Sequence, residues 1–398
     1  MSETGGIGGI GGIGGIGGIG GIGGIGGIGG IGGIGGIGGI GGIGGIGGIG
    51  GIGGIGGIGG IGVASAPLAA LITNRDGIVG HWENPLTAPD EHGFEDEKNL
   101  ALWAPWVRAI VIDAELHSRI GFSGSRNKKI NIWHLDVRKN YTGTTPRTKY
   151  KKIASLRRPD KSKFKEQLNY LHQYADLRSD RAAEIIAQIS GPAGFLASIA
   201  FLELERKKYT LELLAAVLRM ASFVEQRVKH SLACKRPIDY SPQVQPIIPT
   251  PAHGTLPSGH ATESFMASYV LWRLLVSSGC KPYGNKEWGE QLMRQASRIA
   301  INRTIAGVHF PVDSAAGAVL GLTLGKYFVS RCTGRRFGQA WNFKGNKFSD
   351  DFNWLDLFDV AKNNQRKTSY AKPTSTGIRK GNSKILQKLW SEAIKEWQ

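Results

Sequence analysis

Cysteine is scarce in this chain, whose 398 residues include three: Cys234, Cys280 and Cys332. Their spacing matches no zinc or redox motif, and an odd number argues against a disulfide framework. We expect all three to be buried and to pack as small apolar side chains. The scarcity therefore excludes a disulfide-stabilised secreted domain and a cysteine-based metal centre, and it fits a reducing compartment.

Long hydrophobic runs are also lacking outside the N-terminal repeat. The longest, Ile185 to Leu202, is interrupted by Gln188, Ser190 and the Gly191-Pro192 pair, which predicts a buried core helix rather than a membrane span. No signal peptide is evident, because Met1 to Thr4 lacks a basic segment and a poor apolar segment follows. The sequence therefore predicts a soluble protein with no clear transmembrane segment, and it favours the cytoplasm as the compartment.

Acidic residues are in deficit, with 31 Asp and Glu against 49 Lys and Arg, so the formal net charge is +18. Such a charge attracts anions, whether phosphorylated substrates, an acidic lipid surface or another polyanion such as nucleic acid. The competing interpretation is a solvated basic surface that only aids solubility. The excess lies between residues 121 and 167 and after residue 331, and it includes Lys128, Lys129, Arg138, Lys151, Lys152, Arg157, Arg158, Arg335, Arg336, Arg366, Lys367, Arg379 and Lys380.

The N-terminal segment is built from two residue types. From Gly5 to Ile61 the triplet Gly-Gly-Ile repeats without interruption. The absence of proline excludes a collagen helix. The Gly-x-Gly-x-x-Gly matches follow no strand, which excludes a dinucleotide-binding loop. Because glycine loses more conformational entropy on ordering than any other residue, we expect a Gly-rich low-complexity arm over residues 1–62.

Helical periodicity dominates the second half of the chain. It predicts helices from Thr210 to about Lys235, from Ser258 to Ser278, from Lys286 to Ile305 and from Pro311 to Ser330. Four or more long helices predict an all-α fold with a helical bundle core. Within Ile130 to Val137, the apolar residues Trp133, Leu135 and Val137 alternate with polar residues, which allows a short strand or hairpin.

These patterns divide the chain into four expected segments. They are the repeat at 1–62, a loop-rich basic accessory region at 63–162, a helical catalytic domain at 163–332 and a basic, aromatic tail at 333–398. We expect the tail to dock back on the domain and to include a helix from Lys384 to Trp397. The alternative for the tail is single-stranded nucleic-acid binding through its charges and rings. Its aromatic residues include Trp341, Phe343, Phe348, Phe352, Trp354 and Phe358.

Three short clusters carry most of the functional signal. The first pairs Lys229 with Arg236, seven residues later and directly before Pro237. On a continuous helix this spacing puts both cations on one face, about 10 Å apart, where they could reach one anion. Arginine offers a planar fork of donors to phosphoryl oxygens, and lysine offers a mobile point charge. Alone, such a pair is usually part of a solvated stripe.

The second cluster is the tetrapeptide from Pro257 to His260. Ser258 and Gly259 are expected at a helix N-terminus, where backbone N–H groups and the helix dipole favour an anion. Glycine also lets the anion approach the backbone closely. His260 follows in the first turn, and its ordinary pKa suits proton donation near neutral pH. The plain alternative is a capping serine followed by an incidental histidine.

The third cluster contains Arg303, His309 and Asp313. An aspartate four residues beyond a histidine can accept the Nδ1–H hydrogen bond, which orients the ring and makes Nε2 more nucleophilic. Arg303 would add a third cation to an oxyanion site. Alone, this trio could equally be a structural salt bridge with a satisfied histidine.

Together, the order and spacing of the clusters resemble the type 2 phosphatidic acid phosphatase and vanadium-dependent haloperoxidase superfamily, over about residues 170 to 330. The resemblance implies that His309 attacks phosphorus and forms a phosphohistidine, that His260 protonates the leaving oxygen and that Asp313 orients His309. It implies that no metal is needed. One position departs from the family pattern, because Asn302 stands where serine is usual, and we expect local retuning there. The anion-binding residues implied by the resemblance are Lys229, Arg236, Ser258, Gly259 and Arg303.

Three functions remain open from the sequence. The preferred one is a soluble, metal-independent, acid-phosphatase-like hydrolase that acts on a small phosphorylated substrate and requires no cofactor. The resemblance equally allows a haloperoxidase that holds vanadate in the same cage, with His309 as its ligand, and uses peroxide and halide. The third is a polyanion-binding protein whose catalytic cage has lapsed, which the basic charge and Asn302 favour.

Overall fold

The computed structural model describes residues 81, 92–93, 96–125, 128–137, 148–378 and 383–398. The predicted low-complexity arm at 1–62 lies outside the described residues. All helices and strands given below belong to one unit, residues 95–398.

Ten α-helices occur in the described part of the chain. They are α1 (Pro105–His117), α2 (Lys161–Tyr174), α3 (Arg178–Ala187), α4 (Ala193–Ala200), α5 (Lys208–Leu232), α6 (Pro237–Tyr240), α7 (Gly259–Ser278), α8 (Lys286–Ile305), α9 (Pro311–Thr333) and α10 (Lys384–Lys395). The bounds predicted for α8 are confirmed, and those predicted for α5, α7 and α9 are within a few residues of the observed ones. Short 3-10 turns occupy Glu97–Leu100, Ala175–Leu177, Gly345–Lys347 and Trp354–Asp356.

Helix α7 is the centre of the core and packs against α5, α8 and α9. Its closest neighbour is α9, because glycines remove side chains from the contact. A Cβ on Gly317 would lie 2.7 Å from the Ala261 Cβ, and one on Gly321 would lie 2.4 Å from the Thr262 carbonyl oxygen. Contacts advance along both helices in the same direction, so α7 and α9 run parallel. Their N-termini therefore lie side by side, which brings the second and third sequence clusters together.

The prediction of an all-α fold is wrong, because a five-stranded mixed sheet packs against the helices. Its strands are β1 (Ile120–Ser125), β2 (Lys129–Val137), β3 (Thr148–Arg157), β4 (Phe337–Lys344) and β7 (Ala371–Ile378), in the order β7-β4-β3-β2-β1. All neighbours are antiparallel except β3 and β4. A separate pair joins β5 (Phe358–Asp359) to β6 (Asn364–Gln365). The fold is thus α/β, with helices and a sheet sharing one core.

The sheet was missed because its central pairing is distant in sequence. Ala154 in β3 pairs with Trp341 in β4, in parallel. The local sequence pattern shows alternation within one strand, but it does not show which distant segment pairs with that strand. The strand predicted between Ile130 and Val137 is confirmed, but its buried side carries Ile130 and Ile132, whereas Trp133 and Leu135, from which the alternation was predicted, lie half-buried on the other side.

The apolar run from Ile185 to Leu202 is not one buried helix: α3 ends at Ala187, α4 begins at Ala193, and Ile186 and Ile189 are exposed. In the described part of the chain, no helix combines the length and the apolar character that a membrane crossing requires.

Two of the three cysteines are buried, the exception being the half-buried Cys280, and none forms a disulfide. The six aromatic residues of the tail are buried, as expected for docked packing.

Candidate active site

Lys229 and Arg236 converge by a turn rather than by helical spacing. Helix α5 ends at Leu232, and Ala233 adopts the left-handed conformation with φ 49°. Arg236 lies beyond this turn as the residue that precedes α6. The expectation that both cations share one continuous helix face is therefore wrong, because the helix stops between them. The reversal of the chain nevertheless turns both side chains into the same buried region.

Lys229 is a buried cation, only 1% exposed. Its ammonium donates a hydrogen bond to the Pro257 carbonyl oxygen, which ties α5 to the segment before α7. Burial lowers the pKa of Lys229, while the neighbouring Glu225 carboxyl raises it. A bound anion would add to the counter-charge that Glu225 supplies to this buried ammonium.

Arg236 spreads its guanidinium over several acceptors. Nη1 donates to the Val308 carbonyl oxygen at 2.8 Å and lies 3.2 Å from His309 Nε2, while Nε donates to the His253 carbonyl oxygen at 3.1 Å. A cavity of about 420 Å³ opens beside Arg236 and His253, with Asp239 in its lining. The cavity leads from solvent to the cation that contacts the predicted nucleophile.

The histidine of the third cluster is held in one orientation. His309 Nδ1 lies 3.2 Å from Asp313 Oδ2 and 3.0 Å from Thr255 Oγ1, and the Thr255 hydroxyl donates to Asp313 Oδ2 at 2.6 Å. Asp313 Oδ2 also accepts the Phe310 N–H at 2.8 Å. These partners assign the ring proton to Nδ1, so the Nε2 lone pair faces Arg236.

Burial dominates the electrostatics of this pair. Burial raises the pKa of Asp313 to about 6, although the Thr255 and Phe310 hydrogen bonds lower it. The pKa of His309 lies well below its ordinary value because of burial first, and then because of the charges of Arg236, Lys229, His260 and Arg303. His309 is therefore neutral near pH 7, and its nucleophilic form needs no deprotonation.

The N-terminus of α7 carries the second cluster. The Ser258 side chain caps the helix by accepting the Ala261 N–H at 3.4 Å, and the Ser258 N–H donates to the Asp313 carbonyl oxygen at 2.9 Å. The Ser258 backbone donor is thus already engaged, and the first-turn N–H groups of Gly259 and His260 lack intrahelical acceptors. Gly259 is enclosed: an added Cβ would lie 2.5 Å from Glu225 Oε1.

His260 donates from Nε2 to the Gln188 carbonyl oxygen at 2.9 Å, so Nδ1 is the unprotonated nitrogen of the neutral ring. Burial, followed by the charge of Arg303, lowers the pKa of His260 to about 4. The ring is therefore neutral near pH 7 without a bound anion.

Arg303 is enclosed as deeply as Lys229, at 1% exposed. Nη2 donates to the Ile185 carbonyl oxygen and to Gln188 Oε1, each at 3.0 Å. Nε and Nη1 are buried and have no hydrogen-bond partner among the described residues. Burial lowers the pKa of Arg303 to about 10. Two buried donors without acceptors mark a position where an oxyanion would fit.

All eight predicted site residues thus surround one buried region. Sequence reasoning missed several others in the same region: Thr255, Gln188, Glu225 and His253. Thr255 is separated by only one residue from the second cluster, and a hydroxyl so close to the motif was a usable signal. Gln188 was noted only as an interruption of an apolar run, and nothing in its local sequence indicates a role. Within the described residues, no group of three or more His, Cys, Asp or Glu side chains could hold a metal ion.

Comparison with known proteins agrees with the resemblance found in the sequence. The family model of the PAP2 superfamily, the type 2 phosphatidic acid phosphatases, matches residues 210–337. Residues 210–337 are a PAP2-superfamily segment. The PAP2 segment holds all three clusters, and its family supports phosphatase-type hydrolysis in general.

The other comparisons add little. A solved structure similar to this chain is a transmembrane PAP2-type phosphatidylglycerolphosphate phosphatase from Bacillus subtilis, with 18% identity over 42% of this chain and 96% of that one. The TM-score of 0.30 is too low to support an argument. No curated protein matches the chain.

Proposed function

We propose that this chain hydrolyses phosphate esters through a phosphohistidine formed on His309. One observation supports the proposal most strongly. His309 Nδ1 is held by Asp313 and Thr255, while Nε2 lies 3.2 Å from Arg236 Nη1. A neutral imidazole with its lone pair directed at a cation is oriented to attack an electrophile that the same cation binds.

In the first step, Nε2 of His309 attacks phosphorus and the bond from phosphorus to the ester oxygen breaks. The imidazole becomes positively charged, and the Asp313 carboxylate stabilises that charge across the Nδ1–H. The leaving oxygen takes a proton from His260 Nδ1. Because burial lowers the pKa of His260 to about 4, this role requires the bound phosphoryl group to raise it.

In the second step, water attacks the phosphohistidine. Neutral His260 accepts a proton from that water, the P–N bond breaks, and inorganic phosphate leaves His309 in its starting form. His260 thus acts as acid in the first step and as base in the second.

Charge on the transferring phosphoryl oxygens is proposed to be stabilised by Lys229, Arg236 and Arg303, together with the N–H of Gly259. Phosphoryl transfer relies mainly on positioning and on electrostatic stabilisation of these oxygens. Three cations can neutralise the charge of a phosphoryl group, so the proposal includes no metal and no cofactor. The substrate class is a small phosphate monoester.

The test is to trap the intermediate in the full-length protein. Rapid acid-free quenching with a chromogenic phosphate ester should give a phosphorylated peptide that contains His309. His309→Ala should abolish the adduct and reduce kcat by roughly 10⁴-fold or more, as for loss of other catalytic nucleophiles. His230→Ala, at an exposed position on α5, is the matched control and should behave as wild type. Turnover by His309→Ala near the wild-type rate would refute the mechanism.

The two alternatives are arms of the same experiment. The cage donors suit vanadate as well as phosphate, so bromide oxidation with vanadate and peroxide, without ester hydrolysis, would replace the phosphatase by a haloperoxidase. If the protein shows neither activity but still binds a polyanion, the third function applies and the oxyanion cage is catalytically inactive.

A further inference from the structure

Gln188 joins two parts of the site that are far apart in sequence. It follows α3 directly and is fully buried. Its backbone carbonyl accepts the His260 Nε2–H at 2.9 Å, and its side-chain Oε1 accepts from Arg303 Nη2 at 3.0 Å. One residue therefore contacts both the proposed acid and a proposed anion-binding cation.

The orientation of the Gln188 amide is defined by its partners. Oε1 also accepts the Asn302 Nδ2–H at 3.0 Å, and Nε2 donates to Glu184 Oε1 at 3.1 Å. The oxygen thus meets two donors and the nitrogen one acceptor, so a flipped amide would lose all three hydrogen bonds. Asn302 is itself held by Arg181 Nη1, which donates to Asn302 Oδ1 at 2.8 Å.

The end of α3 is suited to this task. The last carbonyl groups of a helix lack intrahelical donors and carry the negative end of the helix dipole. Arg303 Nη2 binds there, to Ile185 and Gln188. Among the described residues, Nε and Nη1 of Arg303 then have no hydrogen-bond partner. The hydrogen bond from His260 Nε2 likewise leaves Nδ1 as the nitrogen that can serve a substrate.

We propose that Gln188 is a positioning residue, which fixes Arg303 through its side chain and His260 through its backbone carbonyl. The proposal rests on the proposed function. It also explains Asn302: at the position where the PAP2 pattern usually has serine, the longer amide reaches outward to Gln188 and Glu184.

The test separates the side-chain role from the backbone role. Gln188→Leu removes the acceptor for Arg303 and keeps the carbonyl for His260, whereas Gln188→Glu keeps oxygen acceptors for Arg303. The matched control is Gln365→Leu, because Gln365 is also a buried glutamine but contacts Val319 and Thr323. Orthovanadate affinity, measured by calorimetry on the full-length protein, is the first readout, and ester hydrolysis is the second.

We expect Gln188→Leu to weaken orthovanadate binding and to lower kcat by about 10- to 100-fold, the range known for partners that orient ligands in metal sites. The change in kcat should exceed that in KM, and the pH dependence assigned to His260 should stay in place. Gln188→Glu should restore little of either loss, because its second carboxylate oxygen would replace the Nε2–H that donates to Glu184 Oε1. Wild-type-like vanadate affinity and kcat in Gln188→Leu would overturn the proposal. If the wild-type protein binds no orthovanadate, the proposed oxyanion cage does not exist, and this proposal fails with it.

A second inference concerns the outer face of the five-stranded sheet and does not depend on catalysis. The register places side chains of neighbouring strands together on the side opposite the buried Ile130 and Ile132. The only acidic residue in these strands is Asp136, which belongs to the inward register and pairs with Lys151 at 3.1 Å. The cations on the outer side are Lys129, Lys152, Arg157, Lys344 and Lys372.

Aromatic rings lie among these cations. Trp133 donates its indole N–H to Ser123 Oγ at 2.8 Å, and Tyr150, which is 64% exposed, meets it edge to face at 6.5 Å. The Lys152 ammonium lies 5.7 Å from the centre of the Trp133 ring. Burial and the charge of Lys129 lower the pKa of Lys152.

We propose that this face binds single-stranded nucleic acid, with phosphates on the five cations and a base stacked on Tyr150. Sequence-independent binders of single strands combine a basic surface with aromatic stacking platforms. A lipid surface fits less well, because membrane-docking faces present several exposed apolar side chains, whereas Tyr150 is the only large exposed hydrophobic residue among the described side chains of these strands.

The test is fluorescence anisotropy with a labelled oligothymidylate and the full-length protein. Binding should weaken steeply with salt. The double variant Lys152→Glu with Lys372→Glu should lower affinity by at least about 10-fold, and Tyr150→Ala should lower it by a factor of roughly 5 or more, as for loss of one stacked base. The control pair Lys281→Glu with Lys286→Glu changes the net charge equally at exposed positions outside the sheet. Equal losses in both pairs, or binding to phosphatidylserine vesicles without oligonucleotide binding, would overturn the proposal.

Discussion

Thr255 donates its hydroxyl proton to Asp313 Oδ2 across 2.6 Å, and the same hydroxyl oxygen lies 3.0 Å from His309 Nδ1. The threonine thus completes a closed triangle with the proposed orienting carboxylate and the proposed nucleophile. All three residues are buried, so no solvent replaces a lost partner in this triangle.

Thr255→Val tests this triangle, because valine keeps the shape and removes the hydroxyl. We expect kcat to fall about 10-fold, the equivalent of one net hydrogen bond. The Thr255 bond holds down the pKa of Asp313, which is about 6, so the variant should raise that pKa and move the acid limb of the kcat/KM profile to higher pH. Thr255→Ser should retain the wild-type profile. An unshifted acid limb in Thr255→Val would show that Thr255 does not act on Asp313.

The burial of Asp313 predicts a conflict between stability and function. Its folded-state pKa of about 6 exceeds the ordinary 3.8, and that rise corresponds to about 3 kcal/mol. A carboxyl group whose pKa is raised in the folded state stabilises the fold at pH values below its unfolded-state pKa. That contribution is lost as the pH increases through its folded-state pKa. Asp313→Asn should therefore be inactive, yet its Tm relative to wild type should increase from pH 4 to pH 8. A Tm difference that is independent of pH would contradict the raised pKa.

We propose two reasons for glycine at position 259. A side chain there has no space, and its absence lets an anion approach the backbone. An added Cβ would lie 2.5 Å from Glu225 Oε1 and 3.2 Å from Glu225 Cδ. Gly259→Ala should thus lower the stability by about 1–3 kcal/mol, the usual range for overpacking, and should reduce phosphate affinity. Gly194→Ala in α4 is the matched control, since nothing lies within 4 Å of the added Cβ. Equal Tm values for the two variants would remove the steric argument.

The sequence predicted the helical core and the site more completely than the rest of the fold. Helix α8 could be delimited because apolar residues recur along it between a capping Asn285 and the turn at Gly307. The three clusters could be brought together only through a family resemblance, because no local pattern shows that the parallel packing of α7 and α9 joins Ser258 to Asp313.

What the sequence could not predict depends on contacts between distant segments. The strand pairing of Ala154 with Trp341 is one example. Gln188 is another, since its meaning comes from the approach of α3 to Arg303 and His260. The end of α5 at the left-handed Ala233 could not be predicted either, because alanine rarely ends a helix in that conformation.

Asn302→Ser places the residue usual in the PAP2 pattern into this chain. Serine is too short to make the contacts of the asparagine amide with Arg181, Glu184 and Gln188. These three hydrogen bonds should therefore be lost. We expect the stability to fall by about 1–3 kcal/mol, with kcat reduced less than in Gln188→Leu because Gln188 still holds Arg303. Thermal denaturation and steady-state kinetics measure the two effects. A loss of activity as large as that of Arg303→Ala would show that Asn302 itself contacts the substrate.

His260→Ala tests the proposed acid through the leaving group. The Nε2–H bond to Gln188 leaves Nδ1 for the leaving oxygen. A nitrophenolate needs little protonation to depart, whereas an alkoxide needs it strongly. The variant should therefore lose about 10²- to 10⁴-fold in kcat on alkyl phosphates, the usual contribution of a general acid, and clearly less on nitrophenyl phosphate. The matched control is His172→Ala, at an exposed position on α2, which should change neither rate. Equal losses on both substrates would assign His260 to phosphate binding and leave the proton donor to another group.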